Sequence, residues 1–336
     1  MKKRVFSILT ALCLCLTLLP ATAQAADTHA EQQHCLCGMS DCNGEGHGTE
    51  NTLVTFNQWL GSSQTGGKLQ LLVGGPNNTG GTPQDTQDNK FVLTGGNYYL
   101  KTKTAEETFL DGDVTIKYPI VIRGDVTICL NGQTIQSKGG GMPVFEVQSD
   151  ATLTLTDCQN NKGKVTHASD GSGCGVKVES GGTFNMYGGK ITGNSAGFGG
   201  GVYTYGKFTM SGGSITNNTA TEKGGGVLVG GGTFTVSGNV NITNNKVNNE
   251  RNNVYLSKAN KTVIGVAGAL SGGARIGVTP ETWPVGNGQV AIASGESTAT
   301  GGTHYDMTRV DMNCFQSDNG EYQTCLLYTS PSPRDG

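Results

Sequence analysis

His34, Cys35, Cys37, Cys42 and His47 place three thiols and two imidazoles within fourteen residues. Thiolates and neutral imidazoles are the ligands of tetrahedral zinc, so this segment could hold a structural zinc ion. Its Cys-x-Cys spacing is tighter than the usual Cys-x2-Cys. In an exported chain the competing chemistry is a disulfide of Cys42 with Cys35 or Cys37, which leaves one thiol over. Zinc, disulfide and no defined role all stay open, and no other cofactor is expected. Cys129, Cys158 and Cys174 fall near successive strand patterns, where they would be inward small hydrophobes or a bridged pair. A second kind of chemistry is offered by Tyr187, Tyr203 and Tyr205, set among Asn, Thr and Ser. Aromatic faces beside hydroxyls and amides suit stacking on sugar rings, although tyrosine also fills sheet surfaces by propensity alone.

Positioning those tyrosines is the task of a repeat. Gly182-Thr183-Phe184-Asn185-Met186-Tyr187-Gly188-Gly189 returns as Gly206-Lys207-Phe208-Thr209-Met210-Ser211-Gly212-Gly213 and again as Gly232-Thr233-Phe234-Thr235-Val236-Ser237-Gly238, at spacings of 24 and 26 residues. Short alternating segments at such a period describe a solenoid, in which a repeat cannot bury its own apolar side and must stack on its neighbours. Each turn offers three strands. The first is Val176 to Val178, matched by Val202 to Thr204 and Val227 to Val229. The second carries Phe-x-Met and is matched earlier by Leu153 and Leu155, and the third is Ile-Thr at 191, 215 and 242. Three strands in about 25 residues is the arithmetic of a parallel β-helix.

Period-2 alternation sorts the faces. Val176, Val178, Phe184, Met186, Ile191, Val202, Phe208, Met210, Ile215, Val227, Val229, Phe234, Val236 and Ile242 are expected inside. Asn185, Tyr187, Tyr203, Tyr205, Lys207, Thr209 and Thr235 are expected outside. Asn194, Asn218 and Asn245 follow the Ile-Thr strands at one offset, so they should stack at a corner and bond backbone groups that the turn leaves unpaired. Gly139 to Gly141, Gly199 to Gly201, Gly224 to Gly226 and Gly230 to Gly232 precede neither Lys-Ser nor Lys-Thr. They read as turns needing positive φ, not as phosphate cradles.

Met1-Lys2-Lys3-Arg4, the apolar Val5 to Leu19 and the small-residue site Ala23-Gln24-Ala25 predict a secretory signal peptide over 1–25. The chain is therefore expected to be secreted or held at the cell surface, with no membrane span and no lipoprotein cysteine in the visible chain. At the other end, 325–336 reads like a translated sequencing adapter, so the natural protein is expected to continue past Thr324. Between these ends the sequence divides into a Cys/His-rich segment at 26–50, an N-terminal cap at 51–96, the parallel β-helix at 97–258, and an irregular β cap or the start of another module at 259–324. Gly112 to Ile116 recurs verbatim at Gly124 to Ile128, so coiling is expected to begin there. The net charge of -3 becomes -6 once Lys2, Lys3 and Arg4 are removed, which argues against a nucleic-acid partner. Only 35% of residues are hydrophobic and 54 are glycine. The fixed spacing of Phe, Tyr and Thr nevertheless disfavours a disordered chain.

From about Asn97 to Leu256 the chain resembles the right-handed parallel β-helices of the pectin-lyase-like superfamily. In particular it is similar to the Gly-Gly-rich, Ile-Thr-x-Asn repeats of secreted adhesin-like proteins of gut Gram-positive bacteria, and to the Gly-Gly-x-Ile and Phe-x-x-Asn units of polymorphic surface proteins. The resemblance implies an all-β fold. It also implies a non-catalytic adhesin-like role, with glycans or host and cell-wall surface components as partners. The superfamily also contains polysaccharide lyases and hydrolases, so cleavage of an acidic glycan is the alternative, and a spacer for a missing C-terminal domain is a third reading. Enzymes of this fold need clustered carboxylates with a basic residue. Between Gly181 and Asn249 the only acid is Glu222, with no His or Arg. Glu146, Asp150, Asp157, Asp170, Glu179, His167 and Arg123 share no repeated register and read as scattered surface charge, so no catalytic residue is assigned.

Overall fold

The computed structural model describes residues 33–34, 48–49, 54–55, 90–100, 113–258, 260, 262–271, 273–285, 288–295 and 305–323. Their β-branched and aromatic residues alternate with Thr, Asn and Lys in runs too short to form helices, and each run finds its backbone partner one coil away. The result is an all-β parallel solenoid of about 7 turns with about 27 residues per turn. Three ladders of strands run along it. The first stacks Phe91–Leu93, Ile120–Ile122, Phe145–Val147, Val176–Val178, Val202–Thr204, Val227–Val229 and Val254–Leu256. The second stacks Gly96–Tyr99, Asp125–Cys129, Thr152–Thr156, Thr183–Met186 and the first halves of Lys207–Thr216 and Thr233–Thr243. The third stacks Val114–Ile116, Thr134–Ser137, Lys164–His167, Lys190–Thr192 and the second halves of those two long strands.

The core is one continuous column, and all fourteen residues expected inside are buried in it. In the second ladder Phe184, Phe208 and Phe234 are register partners. Their rings stack with centroids 5.0 and 4.6 Å apart, each pair within 10° of parallel. Burial of each such side chain contributes on the order of 1.5–3 kcal/mol relative to exposure, so the narrow core is sufficient because it is long.

Four features depart from the sequence reading. The turns average about 27 residues; the longest, from Phe145 to Val176, carries two excursions, at 157–163 and 168–173, and the coil from Phe91 to Ile120 is also longer than the rest. Second, the second and third strands fuse in two coils, across a register shift between Met210 and Gly212. Third, a small extra sheet, Ser195–Phe198, Thr219–Lys223, Lys246–Val247 and Glu250–Arg251, is inserted between the third ladder and the next first strand. Fourth, pairing runs past Leu256. Ile264–Leu270 joins the second ladder, and Arg275–Pro280 pairs with both Thr233–Thr243 and Val254–Leu256. Ala293–Gly295 and Phe315–Ser317 pair beyond these, so the stretch 259–324 carries solenoid strands. The two verbatim copies of Gly-Asp-Val-Thr-Ile are not stacked equivalents: Val114–Ile116 lies in the third ladder and Asp125–Cys129 in the second.

The glycine runs also differ from expectation. Of Gly199, Gly200 and Gly201 only Gly199 has positive φ, and of Gly224, Gly225 and Gly226 only Gly224. The others are required by close approach. A Cβ on Gly232 would lie 1.7 Å from the Gly206 carbonyl oxygen of the coil below.

Candidate functional site

Two groups expected from the sequence come together in the structure, one buried and one exposed. Asn194, Asn218 and Asn245 are buried at the corner where the third ladder turns into the extra sheet. The backbone N–H and the Nδ2 of Asn194 both donate to Asn218 Oδ1, at 3.1 and 2.9 Å. Asn218 repeats the pair on Asn245 Oδ1, at 3.0 Å each, and Asn245 repeats it on Asn253 Oδ1, at 2.9 Å each. Each Nδ2 also donates to a carbonyl of the coil before and to its own strand end, as Asn218 does to Ile191 at 2.9 Å and Thr216 at 3.2 Å. Every amide therefore accepts on one side and donates on the other.

The ladder ends in residues that the sequence reading did not assign to it. His167, grouped there with scattered surface charge, is buried, with Nδ1 2.8 Å from Asn194 Oδ1 and Nε2 3.0 Å from the Met142 carbonyl. At the opposite end the Asn253 backbone N–H donates to Asp318 Oδ2 at 2.7 Å, its Nδ2 donates to Asp318 Oδ1, and the Thr279 hydroxyl donates to Oδ2 at 2.6 Å. A line of six buried polar side chains, from His167 to Asp318, thus runs beside the hydrophobic column. Complete pairing of this kind is the condition on which such groups can be buried.

On its outward face the first ladder places one residue per strand, the last two of which, Leu228 and Tyr255, are covered. Glu146, Lys177, Tyr203, Leu228 and Tyr255 are successive register partners. Tyr203 and Tyr205 lie with ring centroids 4.9 Å apart and their hydroxyls in contact. Phe198, from the extra sheet, stacks on Tyr203 at 6.1 Å. Phe198 is 43% exposed and Tyr205 39%, while Tyr203 is half-buried between them. The tyrosines lean over Gly230 of the next coil, where a Cβ would come within 2.8 Å of the Tyr205 ring and 3.1 Å of the Tyr203 ring. Burial, then the Tyr205 hydroxyl, pushes the Tyr203 phenol above its ordinary value, so it stays a neutral hydroxyl at neutral pH. Tyr187 sits elsewhere, past the far end of the second-ladder strand Thr183–Met186 and against the Gly212 backbone. Phe198 was missed because Ser195–Phe198 has no apolar alternation to mark it as a strand.

Polar groups flank this aromatic face. On the preceding coil Lys177 pairs with Glu179 at 2.6 Å. That contact outweighs partial burial and raises the lysine above its ordinary range, so it stays a fixed cation and a poor base. Further along, Lys223 lies 5.0 Å from the Tyr255 ring centroid and 3.0 Å from Glu281. Lys223, then the Lys258 backbone N–H, holds the Glu281 carboxyl down to about 2. Of the remaining acids, Asp157 is committed to structure: its Oδ1 accepts from the Gly132 N–H at 2.7 Å and its Oδ2 from that of Gly163 at 2.8 Å. Asp150, Asp170 and Arg123 are exposed.

Comparison with family models, with curated proteins and with solved structures finds no match. In the Cys/His segment, the Gln33–His34 and Gly48–Thr49 strands pair antiparallel, while Cys35, Cys37, Cys42 and His47 lie outside the described residues. Among the described residues no group of three or more His, Cys, Asp or Glu could hold a metal, and no helix is long and apolar enough to cross a membrane.

Proposed function

We propose that this chain is a secreted or surface-held β-helix of the right-handed, pectin-lyase-like kind, acting as an adhesin-like module that contacts glycans through Phe198, Tyr203 and Tyr205. The observation that supports this is the exposed aromatic group itself, flanked by a glycine shelf and by the Lys177–Glu179 pair. Rings that stack on sugar C–H faces gain on the order of 1 kcal/mol each, so a single site binds weakly. Useful adhesion then comes from many copies tethered on one surface. A glycan array probed with a multimerised protein should show binding that disappears when Phe198, Tyr203 and Tyr205 are all replaced by serine. Binding that survives the triple replacement would favour the spacer reading.

One observation favours the enzymatic alternative: the ladder register sets Glu146 beside Lys177, with Glu179 on the same cation and Tyr203 next in line. A lyase needs a base that can give up its charge, and the Glu179 contact holds Lys177 in the opposite state. The purified protein is therefore expected to release no unsaturated or reducing sugar from pectin, alginate, hyaluronan or mucin glycans, with or without calcium. Turnover that is lost in Glu146→Gln, Asp150→Asn or Asp170→Asn would replace the adhesin reading with a lyase or hydrolase.

A further inference from the structure

Cys129 closes a second-ladder strand whose burial pattern places its side chain on the side opposite Ile128, away from the hydrophobic column. Alternation alone would leave it in solvent, yet it is fully buried. What covers it is the excursion at 157–163. Thr156 is the register partner of Cys129, and two residues later Cys158 turns back over it, with the two sulfurs 3.4 Å apart. That excursion is pinned on both sides. Asp157 accepts from Gly132 and Gly163, Gln159 reaches Asn131 at 3.4 Å, and Asn161 Oδ1 accepts from the Gly189 N–H at 2.8 Å. Cys158 is half-buried and also donates to Asn131 Oδ1 at 3.3 Å.

We propose that Cys129 and Cys158 are a disulfide-forming pair that stitches two successive coils together. Their sulfurs already lie 3.4 Å apart, and Cys158 follows the backbone partner of Cys129 by two residues, so closing the remaining gap to the roughly 2 Å bond takes side-chain rotation and little backbone movement. The oxidant is a small-molecule or protein disulfide. The Cys158 thiolate attacks one sulfur of that disulfide and releases its partner as a thiolate. The Cys129 thiolate then attacks the Cys158 sulfur, and the second half of the oxidant leaves. Two thiols become one disulfide, and their two protons end on the two thiolates that leave, so the oxidant is reduced to two thiols. The Cys129 contact, then burial, raises the Cys158 thiol above its ordinary value, so the exchange is slow at neutral pH and faster in mild alkali. Cys174 and Cys314 are buried on other parts of the coil, where the Cys314 thiol donates to the Ser271 and Val310 carbonyls.

The pair spans 29 residues, a loop long enough for its closure to restrict the unfolded chain appreciably. The secretion reading bears only on where the bond forms in the cell, and the test is independent of it. Purified protein is incubated with oxidised glutathione at pH 8.5, free thiols are alkylated in denaturant, and unreduced tryptic digests are analysed by mass spectrometry. The expected product is peptide 124–138 cross-linked to peptide 139–162. The oxidised form should melt roughly 5–10 °C above both the reduced form and Cys158→Ser. If both cysteines are recovered alkylated, or Cys158 carries glutathione while Cys129 is alkylated, the proposal is wrong. Failure here leaves glycan binding untouched, because the aromatic face lies on other coils.

Discussion

Phe208→Ala is expected to destabilise the central coils by about 3–5 kcal/mol. The ring lies between Phe184 and Phe234 at centroid distances of 5.0 and 4.6 Å and is fully buried. In a globular core the surroundings partly collapse onto such a deletion. Here they are held apart by continuous backbone pairing above and below, so the cavity should persist and the cost should fall in the upper part of that range. Phe208→Leu, which keeps most of the volume, should lose roughly 1–1.5 kcal/mol. Because stability in a solenoid sums over neighbouring coils, the measurement is native-state hydrogen exchange of the amides at 184–186, 208–210 and 234–236 together with urea unfolding. A loss below about 1 kcal/mol for Phe208→Ala would mean that the column is loosely packed.

Asn218→Ala should cost roughly 3 kcal/mol or more by a different route. The substitution removes the acceptor for two donors of Asn194 and the donor to Asn245 Oδ1, Ile191 and Thr216, all in a site without solvent. Asn218→Asp separates polarity from volume. It is isosteric, yet it points an anionic oxygen at three acceptors, and it is expected to be at least as harmful at neutral pH. If both variants unfold within about 1 kcal/mol of the wild type, the ladder is ornamental and the corner is held by backbone bonds alone.

Those two residues also mark what could be read in the sequence. Phe208 and Asn218 belong to a repeated register, so period and alternation place them before any coordinate is known. His167 and Asp318 continue the line of Asn218 but sit outside the repeat, because an end must differ chemically from a middle, and Asn253 is a further amide rung that follows Asn245 by 8 residues and not by a coil. Nothing in their spacing distinguishes them from surface polar residues. Phe198 was hidden because the apolar row of its sheet, Ala196, Ala220 and Val247, gives only one small residue per short strand and leaves no periodic trace. Tyr187 shares the outward phase of Tyr203 but belongs to a different side of the coil. Alternation reports inside or outside; it does not report which flank, and glycan-contacting candidates depend on the flank. The glycine runs misled in a related way, since close backbone approach and positive φ favour the same residue type for different reasons.

The one-way polarity of the amide ladder has a consequence for how this molecule can change. Each rung receives from behind and gives ahead, so any rung can be followed by another of its kind, and the line behaves as a polymer with a separate initiator, His167, and terminator, Asp318. Duplicating one coil between Asn218 and Asn245 would leave both ends satisfied and lengthen the rod by one inter-strand step, about 4.8 Å. Reach is thus a quantity this architecture can vary in discrete increments, while the chemistry of its two ends stays constant.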